Sequence, residues 1–479
     1  MTETGFEFLV VGSGAGGSAA AWRLAQAGRK VLLLEKGPRL PDDGSTFDPA
    51  VVFRDGRFKS REVWKDRRGA NIVPEEYFNL GGKTRWYGAA LLRFQARDFE
   101  ADSDRLLLSW PFAAAELRRH YDQAESLLRV YRFDVEPDLE RIAMRLARRG
   151  WASASLPLGL SRDIGELPQA ITRFDGYALP FGMKADAQHR LLDRVGNMPN
   201  FRVVTDAEVE HVLPSADHPY RVAGVQLTDG RRFMADHVLL AAGALHSPRL
   251  LQRYFEQQGL SERLPAAANV GRYFKRHLLT AVLGFSLFPQ HDRVRKTLLL
   301  THARFPGSSV QPLGGWIDRD IVRTVLPRWL PTLLTEFFAR RVYGFFLQTE
   351  DGSHADNRVM AGVAGGSPHL HYTAEALPQH HEHREFVGTF CRSLLSAGLL
   401  PVPKPVPLSG TAHACGTLVT GDDPARSVVD ADGCVHGMVN LHVVDGSVLP
   451  RSSRLNPALT IYAWALRVAE RLLARGAGA

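Results

Sequence analysis

The residues whose type and spacing first suggest chemistry are glycines. Gly12-Ser13-Gly14-Ala15-Gly16-Gly17 follows the β-rich run Phe8–Val11. A helical pattern from Ser18 to Ala27 comes next, ending at Gly28, and Lys30–Leu34 forms a second apolar strand closed by Glu35. A G-x-G-x-x-G turn between strand and helix suits a pyrophosphate. Gly12 and Gly14 let the backbone approach it with no Cβ in the way, while the helix start aims unpaired N–H groups and its positive dipole end at the phosphates. Glu35 lies 18 residues after Gly17, at the distance where an acid accepts hydrogen bonds from an adenosine ribose and repels a 2′-phosphate. NAD and FAD are held by the same turn. This motif opens the chain and a distant C-terminal segment reads as returning to it, which favours FAD.

The elements that must carry such a site recur along the chain. Val238–Gly243 is an apolar strand ending in glycine, with Ser247-Pro248 behind it opening a helix. Val443-Val444-Asp445-Gly446 repeats the theme, and Asn456-Pro457 opens a long final helix over Leu459–Leu473, with Asn456 in the capping position. Strands that end in glycine at distant places predict an α/β protein, with one parallel sheet assembled from separated segments and ligand at the strands' carboxyl ends. Residues 284–409 are richer in Pro and aromatics and weaker in this punctuation. With residues 106–189 they read as a connection and a second, α+β substrate domain. The Rossmann-like domain then comprises 1–105, 190–283 and 410–479.

Composition narrows the function classes. The chain has 479 residues, 45% of them hydrophobic, 59 Lys+Arg against 51 Asp+Glu, and three cysteines. That apolar share excludes a disordered chain. Cys391, Cys415 and Cys434 form no CxxC pair, which excludes a disulfide scaffold and fits reduced thiols in a cytoplasmic setting. The first residues carry Glu3 and Glu7 without a basic cluster, so no export signal is read, and no apolar run is long enough to span a membrane. Arg141–Arg149 lacks interleaved aromatics and reads as a solvated helix face, so no nucleic-acid partner is expected. Leu326–Leu347 mixes aromatics with Arg328, Arg340 and Arg341, a pattern shared by an access lid, a helix making peripheral membrane contact, and packed core. His380, His381 and His383 lack HExxH spacing, and Gln379 and Arg384 beside them suggest a wet helix face, so no metal is expected.

Several further segments, in order, resemble the glucose–methanol–choline (GMC) oxidoreductases, a flavoprotein family. Gly81-Gly82-Lys83-Thr84-Arg85-Trp86-Tyr87-Gly88-Ala89 is similar to that family's loop beside the flavin ring. Ser109-Trp110-Pro111, Val209, Ala242-Gly243-Ala244-Leu245-His246-Ser247-Pro248 and Val270–His277 match further landmarks. The strongest matches are His413-Ala414-Cys415-Gly416-Thr417, Asp445-Gly446-Ser447 and Asn456-Pro457-Ala458-Leu459-Thr460. The resemblance implies FAD held by Gly12, Gly14, Ala15, Gly17, Glu35, Lys36, Gly81, Gly82, Thr84, Tyr87, Gly88, Ala89, Val209, Ala242, Gly243, Asp445, Gly446, Pro457 and Thr460. It also implies oxidation of an alcohol to a carbonyl, with hydride passing to flavin N5.

In that reading His413 is the base, since an imidazole titrates near working pH, and Asn456 orients the substrate oxygen. The start of the last helix directs positive potential at the flavin edge where charge accumulates. Cys415 reads as small buried filler. Some relatives attach flavin through a histidine in the glycine loop; Arg85-Trp86-Tyr87 has none, so the FAD is expected to be non-covalent. The expected partners are a small-molecule alcohol and an electron acceptor, whether oxygen, a quinone or a redox protein. Two alternatives share the scaffold: a hydroxynitrile-type lyase, and a flavoprotein subunit that needs a separate acceptor partner.

Overall fold

The computed structural model describes residues 2–179, 182–314, 327, 329–362 and 366–476. Its first sheet joins strands from both ends of the chain. Phe201–Val204, Val31–Leu34, Thr2–Val11, Arg232–Leu240 and Leu441–Val443 run parallel in that spatial order. These strands are near-continuous apolar runs because a parallel sheet is covered on both faces. Leu9, Val10, Leu32, Leu33, Leu239 and Leu240 are fully buried, each contributing about 1.5–3 kcal/mol relative to exposure. The strand Arg232–Leu240 forks: its end pairs with Leu441–Val443, while its beginning pairs antiparallel with Val222–Leu227, which in turn pairs with Val209–Pro214. The helix Ala15–Gln26 crosses from the first strand to the second and packs on the final helix, Ala458–Gly476. Each begins earlier or runs longer than the sequence pattern suggests.

The second sheet is antiparallel, in the order Leu400–Pro405, Leu278–Phe285, Val342–Thr349, Ser308–Pro312, Leu298–His302 and Trp151–Ser155. Leu278–Phe285 begins inside a segment expected to belong to the first unit, yet it pairs along its full length within this second sheet. The sheet faces the dinucleotide-type sheet across the cavity described below, and the helix Pro378–Ser396 packs on its other side.

Two expectations are revised here. His383 and Gln379 do not lie on a wet face: both are buried, and His383 is hydrogen-bonded through both ring nitrogens to Thr280 and Thr349, at 2.8 Å each. Burial pushes its pKa down to about 3. The span 326–347 divides. Leu326 and Arg328 lie outside the described residues; Trp329, Leu333 and Phe337 are exposed around the helix Thr332–Ala339; Phe345 and Leu347 are buried strand residues. No helix among the described residues is long and apolar enough to cross a membrane.

His442, in the strand Leu441–Val443, is 1% exposed, and neither ring nitrogen has a hydrogen-bond partner among the described residues. Burial holds its pKa down to about 3. Below the ordinary value of 6.5, unfolding lets such a ring take up a proton that the folded state refuses. Stability therefore falls as pH drops from 6.5 towards 3, by about 1.4 kcal/mol per pH unit per ring. His442→Phe, similar in size and without a titrating group, is expected to lose less stability than the parent between pH 7 and pH 5 in urea titrations. Equal losses would rule out this ring as a source of the acid sensitivity.

Candidate active site

The carboxyl ends of the parallel strands open onto one cavity of about 480 Å³. Gly12, Gly14, Ala15, Glu35, Lys36, Val209, Ala242, Gly243, Asp445 and Gly446 line it from the strand ends. Gly82, Thr84, Tyr87, Gly88 and Ala89 line it from the glycine loop, and His413, Asn456 and Pro457 from the C-terminal segments. Gly17, Gly81 and Thr460 stand outside the wall. Gly17 packs on the carbonyl of Gly12, the Gly81 N–H donates to the Ser13 hydroxyl at 2.9 Å, and the Thr460 hydroxyl pairs with Tyr121 at 2.7 Å. These three shape the wall from behind.

At the turn, Gly12 has φ +106°, and a Cβ there would fall 2.4 Å from the carbonyl oxygen of Ala241. A Cβ on Gly16 would fall 1.7 Å from that of Val444. Only glycine allows these two approaches. Gly14 differs: a Cβ built on it meets no protein atom within 4 Å, and the residue lines the cavity. The helix that follows has no capping side chain and no acidic residue in its first turn, so its first N–H groups remain available to an anion. This combination fits a dinucleotide pyrophosphate.

Asp445 ties the strand ends together. One carboxylate oxygen accepts from the Gly243 N–H at 2.8 Å and the Ser247 hydroxyl at 2.5 Å; the other accepts from the Ser447 N–H at 2.8 Å and its hydroxyl at 2.5 Å. Glu35 accepts from the Ser13 N–H at 3.0 Å, its hydroxyl at 2.5 Å and the Gly37 N–H at 3.0 Å. Burial raises the pKa of both acids, and the hydrogen bonds partly counter it. Glu35 thus fastens the glycine turn while lining the cavity.

Sequence reasoning missed His246 and Arg249 at the same end. His246 Nδ1 accepts from Arg249 at 3.1 Å, which leaves its N–H on Nε2, a buried atom with no hydrogen-bond partner among the described residues. Such an orphaned donor in the wall fits the polar edge of a bound nucleotide.

A second polar cluster stands in the same wall. His413 and Asn456 lie 43 residues apart in the chain, and Asn456 Nδ2 stands 3.4 Å from His413 Nε2. Asn456 Oδ1 accepts from Gln311 Nε2 at 2.5 Å, and His413 Nδ1 lies 2.8 Å from Nδ1 of His277. Burial first, then the neighbouring His277, Lys83 and Lys296, push the His413 pKa well below the ordinary range. The ring is therefore neutral, as a proton acceptor must be, but it does not titrate near working pH as expected of an imidazole base, because burial disfavours its charged form.

Asn456 does not cap the final helix. The first helical bond runs from the Ile461 N–H to the Pro457 carbonyl, and the helix begins at Ala458. The Asn456 amide, one residue earlier, is free to face His413 and Gln311.

Gln311 and Phe346, cross-strand partners in the second sheet, line the cavity opposite the strand ends, near an ion pair of Lys296 and Asp175 at 2.6 Å. His277 stood only as a family landmark in the sequence, and Gln311 lies in its least patterned stretch. No spacing pointed to either ring or amide.

Comparison with known proteins identifies the family. The family model described as FAD dependent oxidoreductase matches residues 7–375, and that described as GMC oxidoreductase matches residues 406–465. The chain is 29% identical to paromamine 6′-oxidase of Streptomyces fradiae, over 97% of this chain and 91% of that protein. It is 24% identical to a cholesterol oxidase of Mycobacterium tuberculosis, over 97% and 90%. Its fold is similar to that of pyridoxine 4-oxidase from Mesorbium loti, with a TM-score of 0.68 and 18% identity, covering 98% of this chain and 99% of that one.

Because Gly14 borders open cavity instead of packed protein, Gly14→Val is expected to fold with near-parental thermal stability yet purify colourless. A yellow Gly14→Val protein would refute the turn's part in holding the cofactor.

Proposed function

This chain belongs to the FAD dependent oxidoreductases and carries the C-terminal segment of a GMC oxidoreductase, and we propose that it oxidises an alcohol to a carbonyl, with His413 as base and Asn456 orienting the substrate oxygen. The observation that carries this reading is the His413–Asn456 pair, 3.4 Å apart in the wall of a cavity that the glycine turn also lines. Bound FAD supplies the acceptor for the hydride that leaves the alcohol carbon. The chain itself handles the oxygen and the proton. The Asn456 NH₂ donates to the substrate oxygen, and the hydroxyl hydrogen points at His413 Nε2, which takes it as the carbonyl forms. An amide suits the first task because it does not compete for that proton. Pro457 and Ala458, at the start of the final helix, line the same cavity and present the helix's positive end where negative charge develops.

The names of the relatives support an alcohol as substrate. Paromamine and cholesterol differ so widely that they leave the choice among alcohols to the cavity wall. A panel of a sugar, a polyol, an aryl alcohol and a sterol, mixed anaerobically with the yellow protein, reads both questions. Bleaching identifies the substrate class, and recovery of colour on admitting air separates oxygen from a quinone or redox protein as acceptor. A lyase would bleach with none of them.

His413→Ala is expected to keep its FAD and to slow alcohol-dependent bleaching by ~10²-fold or more, the scale of a positioned base. Near-parental rates would overturn the assignment. Acid precipitation is expected to release all the yellow colour into the supernatant, since the glycine loop offers no histidine for attachment; colour retained in the pellet would show a covalent link.

A further inference from the structure

Behind His413 lies a hydrogen-bonded chain whose direction is set at its far end. His277 Nε2 lies 2.7 Å from the carbonyl oxygen of Ser453 and 3.1 Å from that of Ser452. Carbonyl oxygens only accept, so Nε2 of His277 carries the hydrogen and its Nδ1 presents a lone pair. His413 Nδ1, 2.8 Å away, must then be the donor. That leaves Nε2 of His413 bare, on the side of Asn456 and the cavity. A bare nitrogen repels an amide oxygen, so Asn456 turns its NH₂ towards His413 and its oxygen to the donating Gln311 amide. Every link has one allowed direction, and the two serine carbonyls decide it.

The geometry is held with some effort. The imidazoles of His277 and His413 are nearly perpendicular, at 89° with centroids 4.9 Å apart, a separation that fits an N–H of one ring pointing at the nitrogen lone pair of the other. His277 and Ser453 both have left-handed backbone, at φ +65° and +59°, a conformation that costs a non-glycine residue about 1 kcal/mol or more. Buried acids hold both segments: Asp351 accepts from the Arg276 N–H at 3.0 Å, and Glu350 accepts from the Ser453 N–H at 3.2 Å and pairs with Arg451 at 2.6 Å.

We propose that His277 is a positioning residue that locks His413 in the tautomer with hydrogen on Nδ1, so that the nitrogen facing substrate is the one able to take a proton. This deepens, and rests on, the reading of His413 as base. The charged groups facing His277 are Arg276 and Glu350, and those facing His413 are Lys83 and Lys296. Burial keeps both rings neutral, the condition under which a tautomer has meaning.

Ring-¹⁵N histidine labelling of the FAD-loaded protein tests this directly, with His413 assigned by the signal that His413→Gln removes. The expected pattern is hydrogen on Nδ1 and a bare Nε2; hydrogen on Nε2 in the parent protein would overturn the proposal even if no His277 variant folds. In His277→Phe the ring is expected to shift to the Nε2–H form that imidazole prefers in water. Bleaching by the panel alcohol that reduces the parent flavin fastest should then slow by ~10²-fold, the scale of a lost base or a wrong tautomer. His277→Asn, whose Oδ1 replaces the Nδ1 lone pair, should keep the Nδ1–H form and recover most of the rate. A His277→Phe protein with parental spectrum and rate, beside an inactive His413→Ala, removes His277's role and leaves the base assignment standing. An unaffected His413→Ala removes the base assignment itself.

Discussion

Backbone segments far apart in the sequence meet here with no room between them for a side chain. Gly12 lies against the carbonyl of Ala241 and Gly16 against that of Val444, at distances no Cβ tolerates, and the Asp445 carboxylate, held by two local hydrogen bonds from Ser447, joins its segment to the helix start at Gly243 through two more, from the Gly243 N–H and the Ser247 hydroxyl. The rest depends on this knot. It brings the end of the chain beside its beginning, and so places Asn456, eleven residues past Asp445, in the cavity that the glycine turn also lines. Were the strand at 441–443 held even slightly further out, the amide and the imidazole would still exist but would not share a cavity with that turn.

The second organising effect is exclusion of water. His413 and Asp445 both shift towards their neutral forms on burial. For Asp445 this is a cost that four donors offset, whereas for His413 it is the state that the proposed role as base needs. The same physical term is thus structural on one side of the cavity and functional on the other; the difference is whether the buried group is fully partnered.

The parallel sheet, its glycine turn and the strand–acid–glycine repeat at Asp445 were legible in the sequence because each is a local pattern, with an apolar run, a breaker and a charged residue at fixed spacing. His413 and Asn456 were legible through motifs around them, not through their own chemistry. Gln311, Phe346 and His277 were not. Antiparallel register brings Gln311 and Phe346 to the cavity and a left-handed backbone sets His277 behind His413, and neither register nor φ is written in residue type. The face of Gln379 and His383 was misread for a related reason: polar residues on a helix suggest solvent unless two threonines from neighbouring strands happen to satisfy them. Asn456 before Pro457 read as a cap by the same local logic, and lost that role once its amide found Gln311.

The division of labour between the two sheets has an evolutionary corollary. The cofactor grip proposed here falls on backbone atoms and glycines of one sheet, while Gln311, Phe346 and the adjoining Lys296–Asp175 pair project from or beside the other. If the proposed alcohol is recognised there, exchanges at those few positions would alter what is recognised without disturbing the cradle, so a lineage built on this scaffold would diversify its diet by repainting a single wall.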